Sequence, residues 1–135
     1  DVDFLNQLRR HLAPFVRAGR VSAWSDQQIA PGSQWFDEIR AALMKTKVAV
    51  MLVTSSFLAS DFVHNHELGP LLKEAAAGGV CILWVPVRAC SWKATPLKNY
   101  QAAIPPDKPL AEMTAKRDAA WVKICEKIEE ALNSH

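Results

Sequence analysis

The run Val48-Ala49-Val50-Met51-Leu52-Val53 decides the fold of this chain. All six side chains are apolar, so the run lacks the alternation of a strand that has one face in water. Strands buried on both faces have this composition, and they are typical of parallel sheets covered by helices on both sides. Residues 80–87, with the sequence VCILWVPV, form a second run of the same kind. The two runs predict neighbouring strands of a buried parallel sheet.

Helix-period patterns lie around these runs. The predicted helices cover residues 2–17, 33–45, 61 or 64 to 77, and 119–133. In the first helix, the apolar residues lie on one face, and Arg9 and Arg10 fall on the opposite, polar face. Pro70 lies inside the third helix, so we expect a kink or a break there. Residues 21–24 are a short strand candidate.

Residues 88–117 show no sustained period and contain four of the eight prolines. We interpret this stretch as a long loop with one short strand near residues 110–114. A loop of this length in a compact domain is usually functional or interfacial. The order of elements predicts an α/β layered fold. Because the chain opens with an amphipathic helix and doubly wound folds open with a strand, we expect a further strand upstream of Asp1.

The amino-acid composition of the chain limits the classes of function that we expect for it. The 135 residues suit one domain, and 16 basic against 14 acidic residues give a formal net charge of +2. This small excess does not favour binding to nucleic acid. No run approaches the ~20 apolar residues of a membrane span, and no signal peptide opens the chain. The three cysteines form no CxxC pair, so we expect a reduced, cytoplasmic protein without structural zinc.

At this point four motifs, taken in order, resemble a bacterial TIR domain. Residues 24–35 read WSDQQIAPGSQW, where the family has a W-x-D-x-x-I-x-P-G-x-x-W pattern. Residues 53–62 read VTSSFLASDF and lead to Glu67-Leu68, where the family has a Ser-rich turn, an aromatic residue and an essential glutamate. The stretches 85–97 and 117–121 also resemble bacterial members. The resemblance covers essentially the whole chain.

The resemblance implies a single TIR domain over residues 1–135, with a flavodoxin-like three-layer fold and a parallel sheet of about five strands. The family's first strand is missing from this sequence. In the family that strand lies between the strands that correspond to residues 21–24 and 48–53. If it is present in the molecule, those two strands should lie about two strand spacings, ~9.5 Å, apart. If its residues are absent, the two strands should instead pair directly, or another chain should fill the slot, and the nucleotide pocket would lose one wall.

Many TIR domains cleave NAD+ between nicotinamide and ribose, so the resemblance implies NAD+ as a substrate and no resident cofactor. Nicotinamide leaves from a cationic ring without a general acid, and an ionised carboxylate can stabilise the oxocarbenium-like ribose. Glu67 is the catalytic candidate, since it lies near the start of the helix after the central strand, at the sheet edge where α/β folds bind ligands. The candidate pocket residues are Trp24, Asp26, Ser56, Asp61 and Phe62.

Two alternatives stay open. The chain could be a non-enzymatic module of a prokaryotic immune or signalling protein, binding other TIR domains through the 26–33 loop and the 88–117 loop. It could also form a cyclic ADP-ribose, because cyclisation and hydrolysis share the first bond cleavage. A metal site at His64 and His66 is not expected, since side chains two residues apart on a helix point in different directions.

Overall fold

The computed structural model describes residues 2–25, 35–59, 68–88, 91–112 and 117–134. The helices are α1 (Val2–Arg17), α2 (Trp35–Leu43), α3 (Ser55–Leu58), α4 (Leu68–Ala77) and α5 (Arg117–Ser134). The strands are β1 (Val21–Trp24), β2 (Val48–Val53), β3 (Cys81–Pro86) and β4 (Gln101–Ala102). Short 3-10 helices cover Trp92–Ala94, Pro96–Asn99 and Leu110–Glu112.

The four strands of the described residues form one sheet in the order β1-β2-β3-β4, and every neighbouring pair is parallel. In the middle of this sheet, Val48 of β2 pairs with Val21 on one side and with Cys81 on the other. All six residues of β2 are fully buried. The prediction of two neighbouring buried parallel strands is confirmed.

The two faces of the sheet carry separate cores, because side chains alternate along a strand. Val48, Val50 and Leu52 of β2 belong to one core, and the helices that cover it are α1 and α5. The intervening residues Ala49, Met51 and Val53 belong to the other core, covered by α2 and α4. We call these the α5-side core and the α4-side core. The chain is therefore an α/β protein with three layers, as the sequence predicted.

Strands β1 and β2 pair directly, from Val21 opposite Val48 to Trp24 opposite Met51. Paired strands lie about 4.8 Å apart, so these two show the direct pairing expected without the family's first strand and not the two strand spacings expected with it. Direct pairing gives the backbone groups of β2 hydrogen-bond partners on both edges, which a gap would have left without partners at a cost of about 1–3 kcal/mol each. No further strand lies between β1 and β2 in the part of the chain described.

In the described residues, the helix that contains Pro70 runs from Leu68 to Ala77, with Pro70 near its start. The missing N–H of a proline costs little in the first turn of a helix, because the first N–H groups have no partner within it. The predicted start at residue 61 or 64 lies outside the described residues, so the kink or break expected at Pro70 stays a prediction. The helix ends before Gly79, whose φ of 95° lies in the left-handed region that favours glycine.

The 88–117 segment is more ordered than the predicted loop. Its strand is β4, which pairs with Leu83 and Trp84 of β3, and not the expected strand near residues 110–114. The latter position holds a 3-10 helix, anchored by the fully buried Leu110. The indole Nε1 of Trp84 donates a 3.0 Å hydrogen bond to the carbonyl oxygen of Tyr100. The described part of the 88–117 segment is held in place by the packing of its apolar side chains. The spacing of these side chains along the sequence follows no regular helix or strand period.

Candidate active site

The carboxyl ends of the parallel strands meet at one edge of the sheet, where open α/β sheets bind ligands. Trp24 is the last residue of β1, and Val53 is the last residue of the adjacent β2. Helix α3 follows β2 after one residue and contains Ser56. The structure therefore brings two of the predicted site residues, Trp24 and Ser56, to the same edge. The other four, Asp26, Asp61, Phe62 and Glu67, lie outside the described residues.

Trp24 is half-buried and packs against the α4-side core. Its indole Nε1 is shielded from solvent and has no hydrogen-bond partner among the described residues. Leaving such a donor unsatisfied costs about 1–3 kcal/mol, so buried indole groups usually have a partner. Trp24 therefore offers a hydrogen-bond donor at the carboxyl end of β1.

The turn after β2 holds Ser56 on an exposed surface. The buried Thr54 is the N-cap of α3. Its hydroxyl oxygen accepts a 3.1 Å hydrogen bond from the backbone N–H of Phe57. The Phe57 side chain is fully buried in the α4-side core. A short helix of this kind depends on its cap and its buried side chain, since it has few internal hydrogen bonds. Together they fix the backbone that carries the Ser56 hydroxyl.

Glu67 immediately precedes α4 in the sequence, and the start of that helix is well fixed. Leu68 is fully buried in the α4-side core, as are Leu71 and Leu72 one turn later. The exposed side of α4 is tied to α2 by an ion pair of 2.9 Å between Arg40 and Glu74. The role and the surroundings of the Glu67 carboxylate stay a prediction from the sequence.

Arg9 is a residue of this edge that the sequence analysis assigned wrongly. Its guanidinium Nη2 donates a 2.7 Å hydrogen bond to the hydroxyl oxygen of Ser25, which follows β1 and is fully buried. Arg9 is half-buried and does not lie on the solvent face of α1. The sequence contained a signal for this position: Leu12 lies three positions after Arg9, and helical residues at that spacing are neighbours on the helix surface, so Arg9 borders the apolar stripe.

The described residues hold no group of three or more histidine, cysteine or acidic side chains that could bind a metal ion. Cys81 and Cys125 are free thiols and are half-buried. Within the same residues, no helix combines the length and the apolar character needed to cross a membrane.

The fold is an α/β sheet with a tryptophan and a serine turn at its carboxyl edge. The family model described as a TIR domain matches residues 1–125, and the chain belongs to this family. It is also similar to the uncharacterised protein y4lF of Sinorhizobium fredii, with 24% identity over 131 residues. That alignment covers 97% of the chain but only 40% of the relative, so the chain spans less than half of that protein's length. No solved structure matches the chain.

Proposed function

We propose that this chain is an NAD+ glycohydrolase of a prokaryotic immune or signalling protein, and that it acts in the cytoplasm. It cleaves the bond between nicotinamide and ribose and releases nicotinamide with ADP-ribose or a cyclic ADP-ribose. Membership of the TIR family supports the proposal, because the family includes enzymes that cleave NAD+. The observation that supports it furthest is that Trp24 and Ser56 lie together at the carboxyl edge of the parallel sheet, where such sheets bind ligands.

The bond cleavage itself needs little from the protein. When the C1′–N bond breaks, its electron pair goes to the pyridinium nitrogen, and nicotinamide leaves as a neutral molecule. The ribose carbon becomes positively charged, so an ionised carboxylate lowers the barrier by stabilising that charge. In the proposal this carboxylate is Glu67. Water then adds to C1′ and releases a proton, which gives ADP-ribose.

Two groups at the described edge suit the substrate. The half-buried Trp24 ring suits stacking against the nicotinamide or adenine ring of NAD+. The exposed Ser56 hydroxyl can donate and accept, as a ribose hydroxyl can. Asp26, Asp61 and Phe62 complete the proposed pocket from the segments that precede Trp35 and Leu68.

The direct test is incubation of the purified 135-residue chain with NAD+, followed by chromatography of the products. The expected result is equal amounts of nicotinamide and of either ADP-ribose or a cyclic ADP-ribose. NADH is a matched control, because its reduced ring is neutral and is a poor leaving group. Cleavage of NAD+ but not of NADH supports the proposal. The absence of nicotinamide release at every protein concentration and with added partner domains would contradict it.

Association with other TIR domains is the second candidate function. TIR domains generally interact with one another, and the described part of the 88–117 segment provides a preformed surface for such a contact. Leu97 and Leu110 are fully buried and hold its 3-10 helices in place. A surface that is fixed before binding loses less entropy in the complex. In this proposal the 26–33 loop of one copy contacts that segment of the next.

A further inference from the structure

A cavity of about 770 Å³ lies between α4 and the segment that leads into β4. Helix α4 contributes Gly69, Pro70 and Lys73 to one wall. The opposite wall includes Lys98, Asn99 and Tyr100. Its volume lies in the range of small-molecule sites, about 300–1,000 Å³. Trp24 and Ser56, the described residues proposed above for NAD+ cleavage, do not line it.

The wall opposite α4 is held in place by hydrogen bonds. The Thr95 hydroxyl donates to the carbonyl oxygen of Trp92 at 2.6 Å and accepts from the Leu97 N–H at 3.3 Å. The hydrogen bond between Trp84 Nε1 and the Tyr100 carbonyl oxygen then fixes the other end of this wall to β3. The cavity is therefore preformed, which lowers the entropy that a ligand must overcome.

The two walls also touch closely at one point. A β-carbon added at Gly69 would lie only 3.2 Å from Cγ of Pro96. The backbone of α4 thus approaches the Pro96–Asn99 helix as closely as a glycine permits. This contact sets the spacing of the two walls at the base of the cavity.

The charged groups that line the cavity are both positive. Lys73 and Lys98 are exposed, and no described acidic side chain lines the cavity or pairs with either of them. Glu74, the acid next to Lys73 in the sequence, bonds to Arg40 at 2.9 Å instead. Asn99 adds an amide, which can bond to a phosphate or a hydroxyl. A pocket with two ammonium groups and no acidic side chain among its described lining residues attracts an anion.

We propose that this cavity binds a phosphorylated small molecule of nucleotide size. Lysine ammonium groups bind phosphate as point charges through charge-assisted hydrogen bonds. The prolines and the half-buried Tyr100 ring provide apolar surface for the ring body that carries the phosphate. Burial raises the pKa of Tyr100, so its hydroxyl stays protonated and can donate. Two lysines beside one pocket suit a small molecule, whereas nucleic acid requires a longer basic stripe.

The test uses AMP as the probe and amide chemical shifts of the 15N-labelled chain as the readout. The expected result is a saturable shift at the amides of Lys98, Asn99 and Tyr100. The variant Lys73→Ala with Lys98→Ala should weaken AMP binding by at least about tenfold. The control variant, Lys45→Ala with Lys108→Ala, removes the same charge from exposed positions that do not line the cavity, and its affinity should match that of the unchanged chain.

Adenosine and inorganic phosphate separate the two parts of the ligand. Each alone should bind more weakly than AMP, because adenosine lacks the charge and phosphate lacks the ring body. The proposal is overturned if AMP produces no saturable shift at these amides. It is also overturned if adenosine or phosphate binds as tightly as AMP, or if both double variants keep full affinity. No NAD+ turnover is measured, so failure here leaves the proposed glycohydrolase activity unaffected.

Discussion

The Arg9 guanidinium on α1 donates a 2.7 Å hydrogen bond to the hydroxyl of Ser25, the residue that directly follows β1. The two residues are sixteen positions apart in the sequence, and their bond joins the first helix to the carboxyl edge of the sheet. It therefore fixes the point from which the chain continues into the 26–33 loop. Arg9 is thus connected to the carboxyl edge of the sheet through its hydrogen bond to Ser25.

Replacing Arg9 should weaken this connection. We expect Arg9→Ala to lower the free energy of unfolding by about 1–2 kcal/mol, because it removes a charge-assisted hydrogen bond to a buried hydroxyl. Arg10→Ala is the matched control, since Arg10 is exposed and should tolerate the change. Urea unfolding followed by circular dichroism measures both. Equal midpoints for the two variants would show that the Arg9–Ser25 bond does not stabilise the fold.

The cap of α3 gives a second prediction. Thr54→Ala removes the hydroxyl that accepts from the Phe57 N–H, so it should cost about 1 kcal/mol of stability. Thr54→Ser keeps the hydroxyl and should recover most of that loss. Thermal unfolding of the two variants checks this. If serine and alanine were equally destabilising, the lost methyl group and not the cap would be the cause.

The two described thiols should be less reactive than ordinary cysteines. Burial raises the pKa of Cys81, and burial together with the charge of Glu129 raises the pKa of Cys125. A raised pKa lowers the thiolate fraction at a given pH, and the thiolate is the nucleophile. In a Cys90→Ser background at pH 8, iodoacetamide should modify the folded chain more slowly than the chain unfolded in urea. Equal rates in the two states would contradict the inferred shielding.

The sequence predicted the features that depend on local pattern. The continuous apolar run of β2 indicated burial on both faces, and Trp121, Ile124 and Ile128 of α5 are buried as their spacing predicted. The alternation of predicted helices and strands indicated the α/β layers. The order of the four motifs along the chain indicated the family.

The features that the sequence did not predict depend on contacts distant in the sequence. Strand β4 is only two residues long and exists because it pairs with β3, which no local period reveals. Arg9 belongs to the sheet edge because Ser25 lies beside it, and a helical pattern alone assigned it to solvent.

If a second domain completes the pocket, activity should depend on assembly. The specific rate of NAD+ cleavage should then rise with protein concentration, because association through the 26–33 loop and the 88–117 segment follows mass action. Turnover measured across a dilution series, with the oligomeric state followed by light scattering, tests this. A constant specific rate down to a demonstrated monomer would exclude a role for association in catalysis.

The central claim is that the Glu67 carboxylate supports cleavage of NAD+, and the most direct measurement is the rate of nicotinamide release by single-residue variants. Glu67→Gln and Glu67→Ala should each lower that rate by at least about 100-fold, the effect of losing electrostatic stabilisation of the transition state. Their circular dichroism spectra should stay unchanged. Glu126→Gln, at an exposed acid on α5 outside the proposed site and association surfaces, is the control and should keep full activity. Turnover by either Glu67 variant equal to that of the unchanged chain would contradict the account.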